Sequence, residues 1–231
     1  MKPLSTLVAL AFGAAIGLSP DLIAAEKTDS TNPDSASDKQ NKETEAAYAQ
    51  SIEKRVADII GALDLKDSAK KSKVHDVLIA QYRSLRDWHE VNDSRLKGAP
   101  EQQAQDIKAS LKSIHDKFIA ALSAELTMDQ VEKIKDKMTY GTVKVTYDAY
   151  CEIVPNLSEP QKQRVLELLK EAREEAMDGG SHQEKAAIFK KYKGKINNYL
   201  DSHGHNVKQA YKDWGEKQKA KAKGGGVDKK D

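Results

Sequence analysis

Apolar residues recur along this chain at steps of three and four, separated by short polar breaks rich in Gly, Pro, Ser and Asp. That spacing places one stripe on one face of a helix. After Thr44 the stripe is Tyr48, Ile52, Val56, Ile59, Ile60 and Leu63. A second helix starts at Asp64 or Asp67, carries Val74, Val77, Leu78, Leu85 and Trp88, and ends near Lys97 before Gly98 and Pro100. A third, from Glu101, carries Ile107, Leu111, Ile114, Phe118 and Leu122, and the short break between the two predicts an antiparallel hairpin.

The central segment begins with a capping box, Thr127 and Gln130, flanked by Leu126 and Val131 as a hydrophobic staple. Val131, Ile134 and Met138 follow at helical spacing. Beyond Gly141, the residues Tyr140, Val143, Tyr147, Tyr150 and Val154 read as one helical face made largely of tyrosine. The β-branched residues between 142 and 146 also allow a short strand, but the longer periodicity favours helix, ended by Pro155. A second capping box at Ser158 and Gln161 precedes Val165, Leu168, Leu169, Ala172 and Ala176, and Gly179-Gly180 stops that helix. Ser181 and Glu184 open the next, with Phe189, Tyr192, Ile196, Tyr199 and Leu200. Gly204 closes it, and Val207, Ala210, Tyr211 and Trp214 form a last short helix. The fold class is all-α: six or seven amphipathic helices in a single bundle or a curved helical hairpin array.

Residues 1–25 do not belong to that pattern. Lys2, an apolar run over 4–18 and Ile23-Ala24-Ala25 read as a secretory signal peptide, too short to span a membrane comfortably. Residues 26–43 hold no large apolar side chain and read as a disordered polar linker. The helical domain is 44–216, and 217–231 is a flexible basic tail. The expected location is outside the cytoplasm, periplasmic or secreted, with no transmembrane segment after cleavage. Cys151 is the single cysteine, so no intramolecular disulfide forms, and the thiol is expected as packed apolar bulk.

Charge narrows the function classes. The formal net charge is +2, and removing the leader takes away one Lys and one Asp, leaving it unchanged. No global field draws nucleic acid, and the many charges interleave along solvated helix faces. No phosphate loop, Rossmann fingerprint or Gly-x-Ser-x-Gly elbow occurs. His203-x-His205 reads as a pair of loop histidines rather than a metal site, and Glu171, Glu174 and Glu175 beside Arg173 read as a salt-bridged face. No cofactor or metal is expected.

Two places carry candidate binding chemistry. Tyr140, Tyr147 and Tyr150 form either a packed inter-helix seam or a stacking platform for a sugar or peptide. In the run from 190 to 200, Gly194 and Asn197-Asn198 are poor helix formers. They are expected to mark close helix packing across Gly194 and an amide with specific hydrogen bonds. The alternative is a pocket in which Tyr192, Lys195, Asn197 and Asn198 meet a polyhydroxylated or anionic ligand. Arg173 completes the candidate set.

The phrases MTYGTVKVTYDAY, IVPNLS, EAREEAMD and KKYKGKINNYL resemble signature blocks of an exported bacterial family, of Bacteroidetes type, whose domain has no known function. The resemblance covers about 46–214. It implies no activity, cofactor or catalytic residue, and it points toward glycan handling. More loosely, Leu126-Thr127-x-x-Gln130 and Leu157-Ser158-x-x-Gln161 resemble the paired Leu-Thr-x-x-Gln motifs of small periplasmic stress chaperones, curved helical dimers that cradle unfolded clients. The expected protein is a non-enzymatic binder of a glycan or a protein in the cell envelope. The alternatives are a chaperone-like protein and a saccharide-acting enzyme using Tyr147, Arg173 or Asn198 beside an acid.

Overall fold

The computed structural model describes the backbone over residues 33–224 and the side chains over 44–220. The expected leader, 1–25, lies outside the described residues. The chain divides into two units, residues 1–44, of which 33–44 are helical, and Glu45–Asp231, which holds everything described below. Among the described residues every regular element is α-helix: α1 Pro33–Gly61, α2 Ser68–Leu96, α3 Glu101–Glu125, α4 Met128–Met138, α5 Thr142–Ile153, α6 Glu159–Met177, α7 His182–Ser202 and α8 Val207–Gly224.

Eight helices replace the expected six or seven because the central segment is broken. Tyr140 and Gly141 both take left-handed backbone angles, φ 60° and 65°. The Gly141 amide donates back to the Asp136 carbonyl at 2.8 Å, closing α4 before α5 starts at Thr142. The tyrosines therefore do not share one face. The β-branched residues 142–146 are the first turns of α5, as the helical period predicts.

Both outer boundaries also differ from expectation. α1 begins at Pro33, inside the stretch expected as a disordered linker. Proline suits a first helical position, and extending a formed helix needs no new nucleus. α8 runs to Gly224, inside the expected tail, because the Lys, Gln and Ala residues after Trp214 are strong helix formers.

Capping fixes the interior starts. Asp67 accepts from the Ala69 and Lys70 amides, Thr127 from Gln130, and Ser181 from Glu184. The apolar stripes make two cores. The first joins α1, α2, α3 and α4 through residues such as Val56, Leu78, Leu122 and Ile134. The second joins α5, α6, α7 and α8 through Tyr150, Val165, Leu169, Ile196 and Val207. α6 serves both, since Met177 at its end is buried in the first core while Ala172 and Ala176 lie in the second. Arg173, 3 % exposed, strengthens that link by donating to the carboxylates of Asp136 and Glu132 on α4.

Candidate functional site

Where the two cores meet, a cleft of about 470 Å³ opens between α1, α2, the α4–α5 turn and the α6–α7 loop. That volume falls in the range of roughly 300–1,000 Å³ usual for ligand sites. α1 contributes Tyr48, Ser51 and Arg55, at helical steps of three and four. α2 contributes Tyr82, Arg86, His89 and Asp93, at steps of four, three and four. Tyr140 stands at the mouth, 53 % exposed, with its ring edge-on to His182 at 5.2 Å between centroids. A bulky residue in the left-handed region costs roughly 1 kcal/mol. Exposing half of its ring forfeits burial as well, and the edge contact with His182 is its one ring-to-ring contact among the described residues.

The walls differ in how far they are already satisfied. Tyr48 is pinned: its hydroxyl donates to the Tyr82 carbonyl at 2.9 Å, and the Arg86 guanidinium lies 4.5 Å from its ring centre. Arg86 is paired in turn with Glu45 and Asp87. Burial pushes the Tyr82 phenol up to about 12, so it stays protonated. Among the described residues, the Tyr82 hydroxyl and the Arg55 guanidinium have no hydrogen-bond or ion-pair partner.

The inner end is built from the α6–α7 loop. Lys185 is 8 % exposed, and its ammonium donates to the Ala176 and Met177 carbonyls at 2.8 and 3.1 Å, capping α6 from α7. Burial lowers its pKa to about 8. His89 sits between two acceptors, the Asp93 carboxylate at 2.8 Å from Nδ1 and the Asp178 carbonyl at 2.7 Å from Nε2. With an acceptor facing each ring nitrogen, this geometry favours the doubly protonated imidazolium, in which both nitrogens donate. Burial pulls its pKa down, but the two hydrogen bonds outweigh that and the net shift is upward. Gly180 is required above it, because a Cβ there would stand 2.7 Å from the ring. On the far side of the loop, His115 binds the Asp178 carboxylate at 3.0 Å, and that hydrogen bond raises its pKa against the effect of burial.

A second cavity of about 570 Å³ lies between α2, α3, α6 and α7. Its apolar wall includes Trp88, Leu111 and Ile188, and two of its cations are paired, His115 with Asp178 and Lys112 with Asp116, while Lys108 has no carboxylate partner among the described residues. The first cleft is the one that sets uncommitted donors, Arg55 and the Tyr82 hydroxyl, beside three tyrosine rings.

Of the residues singled out from sequence, only Tyr140 lines the 470 Å³ cleft. Tyr150, 1 % exposed, donates to the Asn197 side-chain oxygen at 2.6 Å inside the second core. Tyr192 is buried there too, with the Lys195 ammonium 4.0 Å from its ring centre. Tyr147 is half-buried at the edge of that core, and Cys151, expected as packed bulk, is also half-buried. Asn198 is exposed on α7. Arg173 is spent on α4. Gly194, expected at a close helix contact, has nothing within 4 Å of where a Cβ would be. His203 bonds to the Tyr199 carbonyl within the end of α7, and His205 bonds to the Gln161 side chain at the start of α6, so each has a structural partner. The two Leu-x-x-x-Gln motifs open α4 and α6, where Gln130 and Gln161 accept from the Thr127 and Ser158 amides, and helix capping by itself explains their spacing.

Tyr48 was read only as part of the apolar stripe of α1, and Ser51, Arg55 and Tyr82 were passed over. Their signal was a polar strip of constant spacing running beside each apolar stripe.

No helix among the described residues is long and apolar enough to cross a membrane. No curated protein matches the sequence. The family model described as "Protein of unknown function (DUF3826)" matches residues 49–220, a span that includes all four sequence blocks quoted above, and the chain belongs to that family.

Proposed function

We propose that this is a non-enzymatic saccharide-binding protein of the cell envelope, exported behind the leader of residues 1–25, with the cleft between the two cores as its ligand site. The observation that carries the reading is Tyr140, a strained and half-exposed aromatic held at the mouth of a cleft whose walls add Tyr48 and Tyr82. A sugar ring offers an apolar C–H face to such a ring and hydroxyls to the surrounding donors. The Tyr82 phenol and Ser51 hydroxyl can each donate and accept, which suits that partner. Against a hydrolase, Asp93 is committed to His89, leaving Glu90 as the other acid of the cleft, while two-carboxylate glycoside hydrolysis needs a cooperating pair.

Isothermal titration calorimetry with a panel of neutral and acidic oligosaccharides tests the reading. At least one saccharide is expected to bind, with Tyr140→Ala abolishing the signal and Asn198→Ala leaving it intact. Loss in Asn198→Ala with retention in Tyr140→Ala would move the site to α7. No binding by any of the panel at millimolar concentration would end the saccharide reading.

A further inference from the structure

Resting on that reading, we propose that the ligand is acidic: a uronate-bearing saccharide whose carboxylate is taken by Arg55 while its ring lies against Tyr140. The cleft continues into an adjoining cavity of about 290 Å³, and the two share Ser51, Arg55, Tyr82, Tyr140 and Lys185. Arg55 is thus central to the whole concavity rather than part of one rim.

Most charges around it are already matched. Arg86 is held by Glu45 and Asp87, Lys137 by Asp58 at 3.0 Å, and Asp93 by His89. Among the described residues, Arg55 and its neighbour Lys54 have no carboxylate partner. Lys185 has met only carbonyls, which use two of its three N–H donors and cancel no charge. Glu90 is the cleft acid without an ion pair, and Asp178 and Glu184 act on Lys185 from the loop side. The balance at the shared centre is positive.

The field of Arg55 reaches across the cleft, since its charge is felt at Tyr48, Tyr82 and Lys185, where it opposes proton binding. A guanidinium offers planar, paired N–H donors that match a carboxylate in bidentate geometry. The tyrosine and serine hydroxyls around it can both donate to and accept from the rest of a sugar, whereas a free inorganic anion would take only their O–H donors and leave the Tyr140 ring face without use.

Calorimetry with three probes of equal length separates the possibilities: trigalacturonate, its fully methyl-esterified form and neutral galactotriose, with inorganic phosphate as a fourth. The acid is expected to bind at least about tenfold more tightly than the ester, the size of one charge-assisted hydrogen-bonded pair. Added sodium chloride should weaken the acid and not the ester. Arg55→Ala should erase the preference and Arg55→Lys restore part of it. The side chain is exposed, so unchanged thermal melting of both variants would show that the fold is intact. Equal affinity for acid and ester overturns the carboxylate and leaves the saccharide reading standing. Arg55-dependent phosphate binding, with no saccharide bound, overturns both in favour of a free-anion site. Failure of every probe overturns the inference outright.

Discussion

Tyr150 and Asn197 are joined by a hydrogen bond of 2.6 Å from phenol to amide oxygen, which ties the middle of α5 to α7. The same hydroxyl lies 3.2 Å from the Lys193 carbonyl, so its one proton faces two acceptors, both on α7. Burial keeps its proton on well above the usual tyrosine range. Tyr150→Phe removes the donor and leaves the Asn197 oxygen without its partner. Urea unfolding should show a loss of about 1–3 kcal/mol. Saccharide binding should be unchanged, and a folded Tyr150→Phe protein that has lost its ligand would place the site on the wrong side of the molecule.

Gly194 makes the opposite case. It lies in the interior of α7 with open space where a side chain would sit, so glycine contributes only backbone freedom to the unfolded chain. Gly194→Ala is expected to stabilise by about 0.5–1 kcal/mol, read as a higher urea midpoint at unchanged slope. A destabilised variant would mean that α7 has a partner on that face.

Tyr140→Asn tests the cost of the cleft mouth. Asparagine tolerates left-handed backbone better than an aromatic residue. Stability should rise by a few tenths to about 1 kcal/mol while saccharide binding is lost. Gain in one and loss in the other is the signature of a residue kept for its ligand. A destabilised variant that still binds would show Tyr140 to be a packing residue.

The loop between α6 and α7 should respond to pH with a definite sign. His89 and His115 both grip Asp178, and both have folded pKa values above the unfolded one, as does the surface residue His75 through its hydrogen bond to Glu53. Stability from these groups is complete below about pH 6 and is lost as pH rises through the folded values. Lys185 acts in reverse. Its folded pKa of about 8 lies below the ordinary 10.5, so the unfolded chain binds the extra proton between those values and stability rises with pH there. Thermal midpoints should therefore fall from pH 6 to a shallow minimum near 8 and recover before tyrosine ionisation sets in near pH 10. His115→Gln should flatten the acid side, and Lys185→Met should remove the recovery. A midpoint that climbs steadily from pH 6 to 8 in the unmodified protein would contradict the histidine clamps.

The helices were legible in the sequence because their causes are local. Asp67, Thr127 and Ser181 cap where they stand, and each apolar stripe needs only its own neighbours to be recognised. The break at Tyr140 was not legible, since propensity disfavours tyrosine in left-handed backbone and only the surrounding fold holds it there. The stripe of tyrosines misled for a related reason. Its spacing put Tyr140 and Tyr150 on one face, whereas Tyr150 is buried in α5 and Tyr140 belongs to the turn between two helices. The cleft itself draws on α1, α2, a turn and a loop, and the residues that meet there, Arg55 and Lys185, are far apart in the chain. Nothing about either one by itself sets it apart from the many other charges interleaved along these helices.

α6 has one further implication. Its final residue, Met177, is embedded among side chains of α1–α4 while its earlier turns are enclosed by α5 and α7, so neither half of Glu45–Asp231 can shed the other without stripping this helix. The notch they flank is thereby a fixed seat and not a jaw. A visiting molecule would find its walls already in place, and little of its affinity would be spent on drawing them together.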